Sequence, residues 1–279
     1  MRGLIVMAAA VVLAAACSSS GSHQDGAPPS HRVATTQYRP GVAADVFLPS
    51  PRPHRAPLVV LVPGGGWAHA DPTGLRPLAD HLAGAGIAAV TASYRTAQQG
   101  VHFPVPASDV ECAIDFAVAK VHAAGIDPAP VIVLGHSAGA HLALLVALTG
   151  DRFRAQCQYP AVRVDAAIGL AGPYDIAQLP QVAQTLFARS AADDPAAWRA
   201  ANPVTWVSLR PELRVLLLHG TADTTVPPAF TTAFASRLRA AGHAVQVELV
   251  PGADHAAIYH VQVVGDRLVR WLRGLPEPR

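Results

Sequence analysis

Val131-Ile132-Val133-Leu134-Gly135-His136-Ser137-Ala138-Gly139, continued by Ala140-His141-Leu142-Ala143-Leu144-Leu145-Val146-Ala147-Leu148, decides how this chain is read. The first four residues are apolar on both faces, as expected of a strand buried in a parallel sheet. The Ala/Leu run after Ser137 is a strong helix former. Gly-x-Ser-x-Gly at such a strand–turn–helix junction is a nucleophile elbow, whose flanking positions are too crowded for a Cβ. Alone the pentapeptide is a weak signal, so its context has to carry the reading.

Working outward, short β-branched runs alternate with longer helical stretches. Candidate strands are Val42–Leu48, Leu58–Val62, Ile87–Tyr94, Val131–Leu134, Ala166–Leu170, Val215–His219 and Val245–Val250. Candidate helices fall near 72–84, 106–123, 138–149, 228–241 and 256–273. This alternation predicts an α/β three-layer fold, a mostly parallel sheet covered by helices on both faces. The rhythm breaks at 176–212, where helical pieces, several Pro and two Trp suggest a small cap inserted over the strand ends.

A serine nucleophile needs a base and a group to orient that base. Val215–His219 leads into Gly220-Thr221-Ala222-Asp223, and Val245–Val250 into Pro251-Gly252-Ala253-Asp254-His255. Asp223 and His255 are therefore both expected just past strand ends, on the rim that carries Ser137. The order Ser137, Asp223, His255 suits an acyl-transfer triad. Asp175, also after a strand, is the competing acid, whereas Asp254 is poorly placed to reach the ring of its neighbour. Of the other histidines, His219 is expected to support the Asp223 loop, and His136 to point away from the site. Ala138 and one of Gly65 or Gly66, in Pro63-Gly64-Gly65-Gly66-Trp67, are the expected oxyanion donors. Trp67 and Tyr174 are expected to line the substrate pocket.

The N-terminal segment implies export. Met1-Arg2 precedes the apolar run Leu4 to Ala16, shorter than the roughly 20 residues of a spanning helix. Leu13-Ala14-Ala15-Ala16-Cys17 is similar to a bacterial lipobox, making residues 1–16 a signal peptide and Cys17 the lipidated membrane anchor; the alternative is an ordinary secretory cleavage near Ala16. Residues 17–32 then form the anchor and a flexible tether, and 33–279 one catalytic domain. Outside the cytoplasm Cys112 and Cys157 can pair as a disulfide, with two buried thiols as the alternative. The 279 residues carry a formal charge of only +2 with no basic block, which argues against nucleic-acid binding. No metal-ligand spacing or phosphate-binding loop is present, so no cofactor is expected, and nothing specifies an oligomeric state.

Taken together, Gly64-Gly65-Gly66-Trp67, Tyr94-Arg95, Phe103-Pro104-Val105-Pro106-Ala107 to Asp109, the elbow, Gly172-Pro173-Tyr174-Asp175, Asp223 and His255 resemble the α/β-hydrolase esterase/lipase group related to hormone-sensitive lipase and bacterial carboxylesterases. Pro63 stands where that group usually has His, and Thr96-Ala97-Gln98-Gln99 where it has Leu-Ala-Pro-Glu. Both departures move the resemblance toward feruloyl-esterase-like and kynurenine-formamidase-like branches. The resemblance implies a serine carboxylesterase. Amide hydrolysis of the formamidase or peptidase type, and a catalytically silent binding lipoprotein, are the alternatives.

Overall fold

The computed structural model describes residues 31–276; the apolar leader, Cys17 and nearly all of the expected tether lie outside them. Eight strands form a single sheet in the order β1-β2-β4-β3-β5-β6-β7-β8. They are β1 (Arg32–Arg39), β2 (Val42–Phe47), β3 (Arg55–Val62), β4 (Ala88–Ala92), β5 (Asp127–His136), β6 (Ala166–Leu170), β7 (Arg214–Gly220) and β8 (Val245–Val250). The β1–β2 and β2–β4 pairs are antiparallel and all others parallel.

Period-two side-chain alternation sends each central strand into two cores. Val131, Val133, Val215 and Leu217 face α2 (Val105–Ala123), α3 (Ala138–Thr149) and α6 (Ala229–Ala240). Ile132, Leu134, Leu216 and Leu218 face α1 (Arg76–Gly84) and α7 (Val261–Arg273). Burying each such side chain stabilises the fold by about 1.5–3 kcal/mol, which fixes the register and hence where the strand ends fall. The break in the rhythm is a helical insertion between β6 and β7, built from α4 (Pro180–Ala183), α5 (Pro195–Ala201) and 3₁₀ turns.

Two expectations change. The folded domain begins before residue 33: the His31 N–H donates to Asp80, and Arg32 already opens β1. Among that strand's described side chains only Tyr38 is buried, so it carries little apolar alternation to read. The stretch from 256 is a 3₁₀ turn at Ala257–Tyr259 followed by α7, not one helix. The Cys112–Cys157 disulfide is present as expected and ties the loop after α3 to α2.

Candidate active site

Ser137 stands between β5 and α3 with φ 53° and ψ −122°, a conformation a non-glycine residue holds only under constraint. The constraint is crowding. A Cβ on Gly135 would come within 2.2 Å of the Gly139 carbonyl oxygen, and one on Gly139 within 2.4 Å of the Pro63 carbonyl oxygen. Only glycines let the strand turn so sharply into the helix, which leaves Ser137 on the open rim at a helix N-terminus.

His255 Nε2 lies 2.9 Å from Ser137 Oγ, and its Nδ1 lies 2.7 Å from Asp223 Oδ2. A carboxylate only accepts, so Nδ1 carries the proton and Nε2 is free to accept from the serine hydroxyl. The loops bearing Asp223 and His255 are stitched together. Ala222 N–H donates to the Ala253 carbonyl, Gly252 N–H to Thr221 Oγ1, and a Cβ on Gly220 would sit 2.1 Å from the Ala253 oxygen.

Asp223 is fully coordinated. Its Oδ1 accepts from the N–H groups of Thr225 and Val226, both at 2.9 Å. Its Oδ2 also receives His219 Nε2–H at 3.1 Å, a proton shared with the Val226 carbonyl at 2.8 Å. Thr231 Oγ1, 2.6 Å from His219 Nδ1, donates to that nitrogen and so fixes the tautomer. His219 therefore braces the acid as expected. Burial pushes the Asp223 carboxyl up, but the His255 and backbone hydrogen bonds outweigh it and hold its pKa below the ordinary value.

Facing this arm is the glycine loop. Gly65 has φ +127° and Gly66 φ +59°, and the Gly65 carbonyl accepts from the N–H groups of Ala68 and His69. Among the described residues, the N–H groups of Gly65, Gly66 and Ala138 donate to no protein acceptor, and all three residues border one cleft. Preorganised, unengaged donors beside a serine are what a developing oxyanion requires. The cleft, about 510 Å³, also holds Trp67, Leu75, Val226 and Tyr259, with Leu179 and Val182 from the inserted cap.

Other expected residues fall elsewhere. Tyr174 does not line the cleft: it is fully buried, stacked on Phe234 at 4.5 Å between ring centroids. Gly169 and Gly172 leave the socket for its ring, and Pro173 borders the cleft instead. Asp175 accepts from Asn202 Nδ2 and Gln178 Nε2, both at 2.9 Å, and so fastens the cap. Asp254 Oδ1 accepts from the N–H groups of Ala256 and Ala257. His136, by contrast, does not point away. It borders the cleft, and its Nε2 lies 2.9 Å from the His255 carbonyl oxygen. Strand alternation could have found it, since Ile132, Leu134 and His136 share the face covered by the segment after His255.

The BD-FAE family signature matches residues 44–238, spanning the elbow and Asp223. The chain belongs to the BD-FAE family of α/β-hydrolases. This BD-FAE chain is 31% identical over 235 residues to Esterase LipC of Mycobacterium tuberculosis, covering 77% of this chain and 57% of that protein. It is 32% identical to Esterase LipQ of the same organism (72% and 50% covered). Against a probable isoprenylcysteine alpha-carbonyl methylesterase of Oryza sativa it is 27% identical (77% and 55%). It thus spans about half the length of the curated relatives it matches. Solved structures with the same fold include a truncated carbohydrate esterase from gut microbiota, with TM-score 0.74, 20% identity, and 82% and 89% of the two chains covered. Another is a propionate-bound thermophilic esterase from Thermogutta terrifontis, with TM-score 0.69, 22% identity, and 88% and 92% covered.

Proposed function

We propose that this chain hydrolyses carboxylic esters through an acyl-enzyme on Ser137. The observation that carries the reading is the unbroken line Ser137 Oγ–His255–Asp223, at 2.9 and 2.7 Å, beside three unengaged N–H donors. The family and the relatives named esterases support ester chemistry over a silent binding role.

Each step follows from the geometry. His255 Nε2 takes the Ser137 proton as Oγ bonds to the ester carbonyl carbon, and the carbonyl π electrons move onto oxygen. Ala138 and Gly65 or Gly66 donate to that oxyanion. The imidazolium, stabilised by Asp223, then protonates the departing alkoxide, leaving an acyl-serine. Water, deprotonated by the same imidazole, adds to the acyl carbon; the carboxylic acid leaves and Ser137 regains its proton. The apolar wall of Trp67, Leu75, Leu179, Val182 and Val226 suits a small apolar acyl or alcohol group.

Ser137→Ala is expected to lower kcat on p-nitrophenyl acetate or butyrate on the order of 10⁵–10⁶-fold. Equal rates for the two proteins, or failure of a fluorophosphonate to label Ser137, would sink the reading. Parallel assays on formyl-aryl amides and peptides separate ester from amide hydrolysis.

We further infer an extracytoplasmic, membrane-tethered address with Cys17 as the lipidated residue. The apolar run ending at Cys17 and the Cys112–Cys157 disulfide both support it. Metabolic labelling with a clickable palmitate should mark the wild type and not Cys17→Ser; an unlabelled wild type would exclude lipidation.

A further inference from the structure

His136 closes β5 immediately before Ser137, and the reaction as written does not use it. The residue is only 7% exposed, and its ring meets three loops at once. Nε2 lies 2.9 Å from the carbonyl oxygen of His255. The ring centroid is 4.8 Å from that of His255 and 4.6 Å from that of Tyr259. On its other side is Gly64, at the root of the oxyanion loop. A Cβ there would come within 2.9 Å of His136 Nδ1 and 3.0 Å of Ser137 Cβ. One imidazole is therefore wedged among the elbow, the glycine loop and the loop that carries the base.

The chemistry of the contact fixes the ring's state. A carbonyl oxygen can only accept, so Nε2 holds a proton. Burial, and after it the neighbouring charge on His255, pushes the His136 pKa down to about 4. The ring thus stays uncharged next to a base that becomes an imidazolium at each turnover. A protonated ring in its place would repel that charge.

We propose that His136 is a positioning residue for the ester hydrolysis described above. Its Nε2–H bond to the His255 carbonyl, with its ring packed against Gly64, holds base and oxyanion donors in register with Ser137. The proposal rests on that reading and adds a residue to it. Misplacing a reacting group by about 1 Å can cost on the order of 10²-fold in rate, so a donor acting on the base's own backbone is well placed to set kcat. His136 borders the cleft, but the apolar wall of Trp67, Leu75, Leu179, Val182 and Val226 is built from other residues, so kcat should move far more than KM.

The test compares wild type, His136→Phe and His136→Gln in full-length protein on p-nitrophenyl butyrate, with kcat normalised to sites titrated by a fluorophosphonate. Phe keeps the ring volume without the donor, whereas Gln carries an N–H to about the depth of Nε2. His136→Phe should lose about 10–100-fold in kcat per titrated site with KM within about threefold, and His136→Gln should recover most of the loss. A merely structural role would lower the number of titrated sites and leave kcat per site alone. His136→Phe within about twofold of wild type per site, or equal losses in Phe and Gln, would overturn the proposal. If the Phe protein does not fold, His136→Asn, whose amide stops short of the carbonyl, replaces it. Parity of Asn and Gln would then be the overturning result. A wild type that turns over no ester sinks this proposal together with the hydrolase reading; parity of the variants with an active wild type sinks this one alone.

Discussion

Asp223 and Glu111 are two carboxyl groups equally hidden from solvent, each 5% exposed, and their surroundings drive them in opposite directions. Asp223 lies in the loop after β7 and receives four donors on its two oxygens. Glu111 lies on α2, where Oε1 accepts from the Phe153 N–H at 3.1 Å and Oε2 has no partner among the described residues. Burial raises both, yet hydrogen bonds bring Asp223 below its ordinary pKa, whereas Glu111 is pushed up to about 8, with Asp115 and Asp151 adding repulsion. Depth of burial and the number of donors aimed at the charge together decide the protonation state. One region is built to keep an anion, so that it can orient a base. The other is built around a neutral acid, whose work is to pin a loop.

The comparison breaks most visibly at the anion. Asp223→Asn keeps the shape and removes the charge, and the amide can present an N–H where His255 Nδ1–H needs an acceptor. The imidazole then loses its tautomer and its orientation. We expect kcat to fall on the order of 10⁴-fold with the folded structure intact, measured by ester turnover alongside circular dichroism. A loss of about tenfold or less would mean that the charge at 223 is dispensable.

The neutral-acid side should answer in stability instead. There the loop after α3 is held by Glu111, by the Asp115–Arg154 pair at 2.8 Å and by the Cys112–Cys157 disulfide, whose partners are 45 residues apart. Cross-linking a loop of that length constrains the unfolded chain by about 4 kcal/mol in the chain-entropy treatment. Cys112→Ser/Cys157→Ser should therefore lower the free energy of unfolding by about 2–4 kcal/mol, read from urea melts, while kcat at 25 °C stays within about twofold. A large kcat loss in well-folded double mutant would show that the two regions are coupled.

Where the sequence was legible, the reason is positional. Ser137, Asp223 and His255 each follow a run whose apolar pattern marks a strand, so one rim collects them. Residues whose role depends on loop shape were not legible in this way. Tyr174 follows a strand end as Asp223 does, but two small glycines let its ring fold inward, and nothing in their spacing announces that. His136 needed the strand alternation carried two residues further, across Gly135 beyond the end of the apolar run. The edge strand β1 buries only Tyr38 among its described side chains, too little to generate a pattern. Cysteine parity and compartment allowed the Cys112–Cys157 pair without excluding two buried thiols.

The remaining effect is confined to the pH dependence of stability. Glu111 has an ordinary pKa of 4.5 and a folded value of about 8. Because the folded value is raised, its contribution to stability is present in full below about pH 4.5 and is lost as pH rises through about 8. Glu111→Gln should remove that dependence: its amide oxygen can still accept from Phe153, and its NH₂ cannot ionise. Thermal midpoints of wild type and variant at pH 5, 7 and 9, at fixed ionic strength, should therefore diverge, with the variant gaining on the wild type as pH rises. Ester turnover should not change, because Glu111 lies outside the cleft. Parallel curves would mean that Glu111 titrates in the folded chain as it does unfolded, and the donor count would then not be what separates it from Asp223.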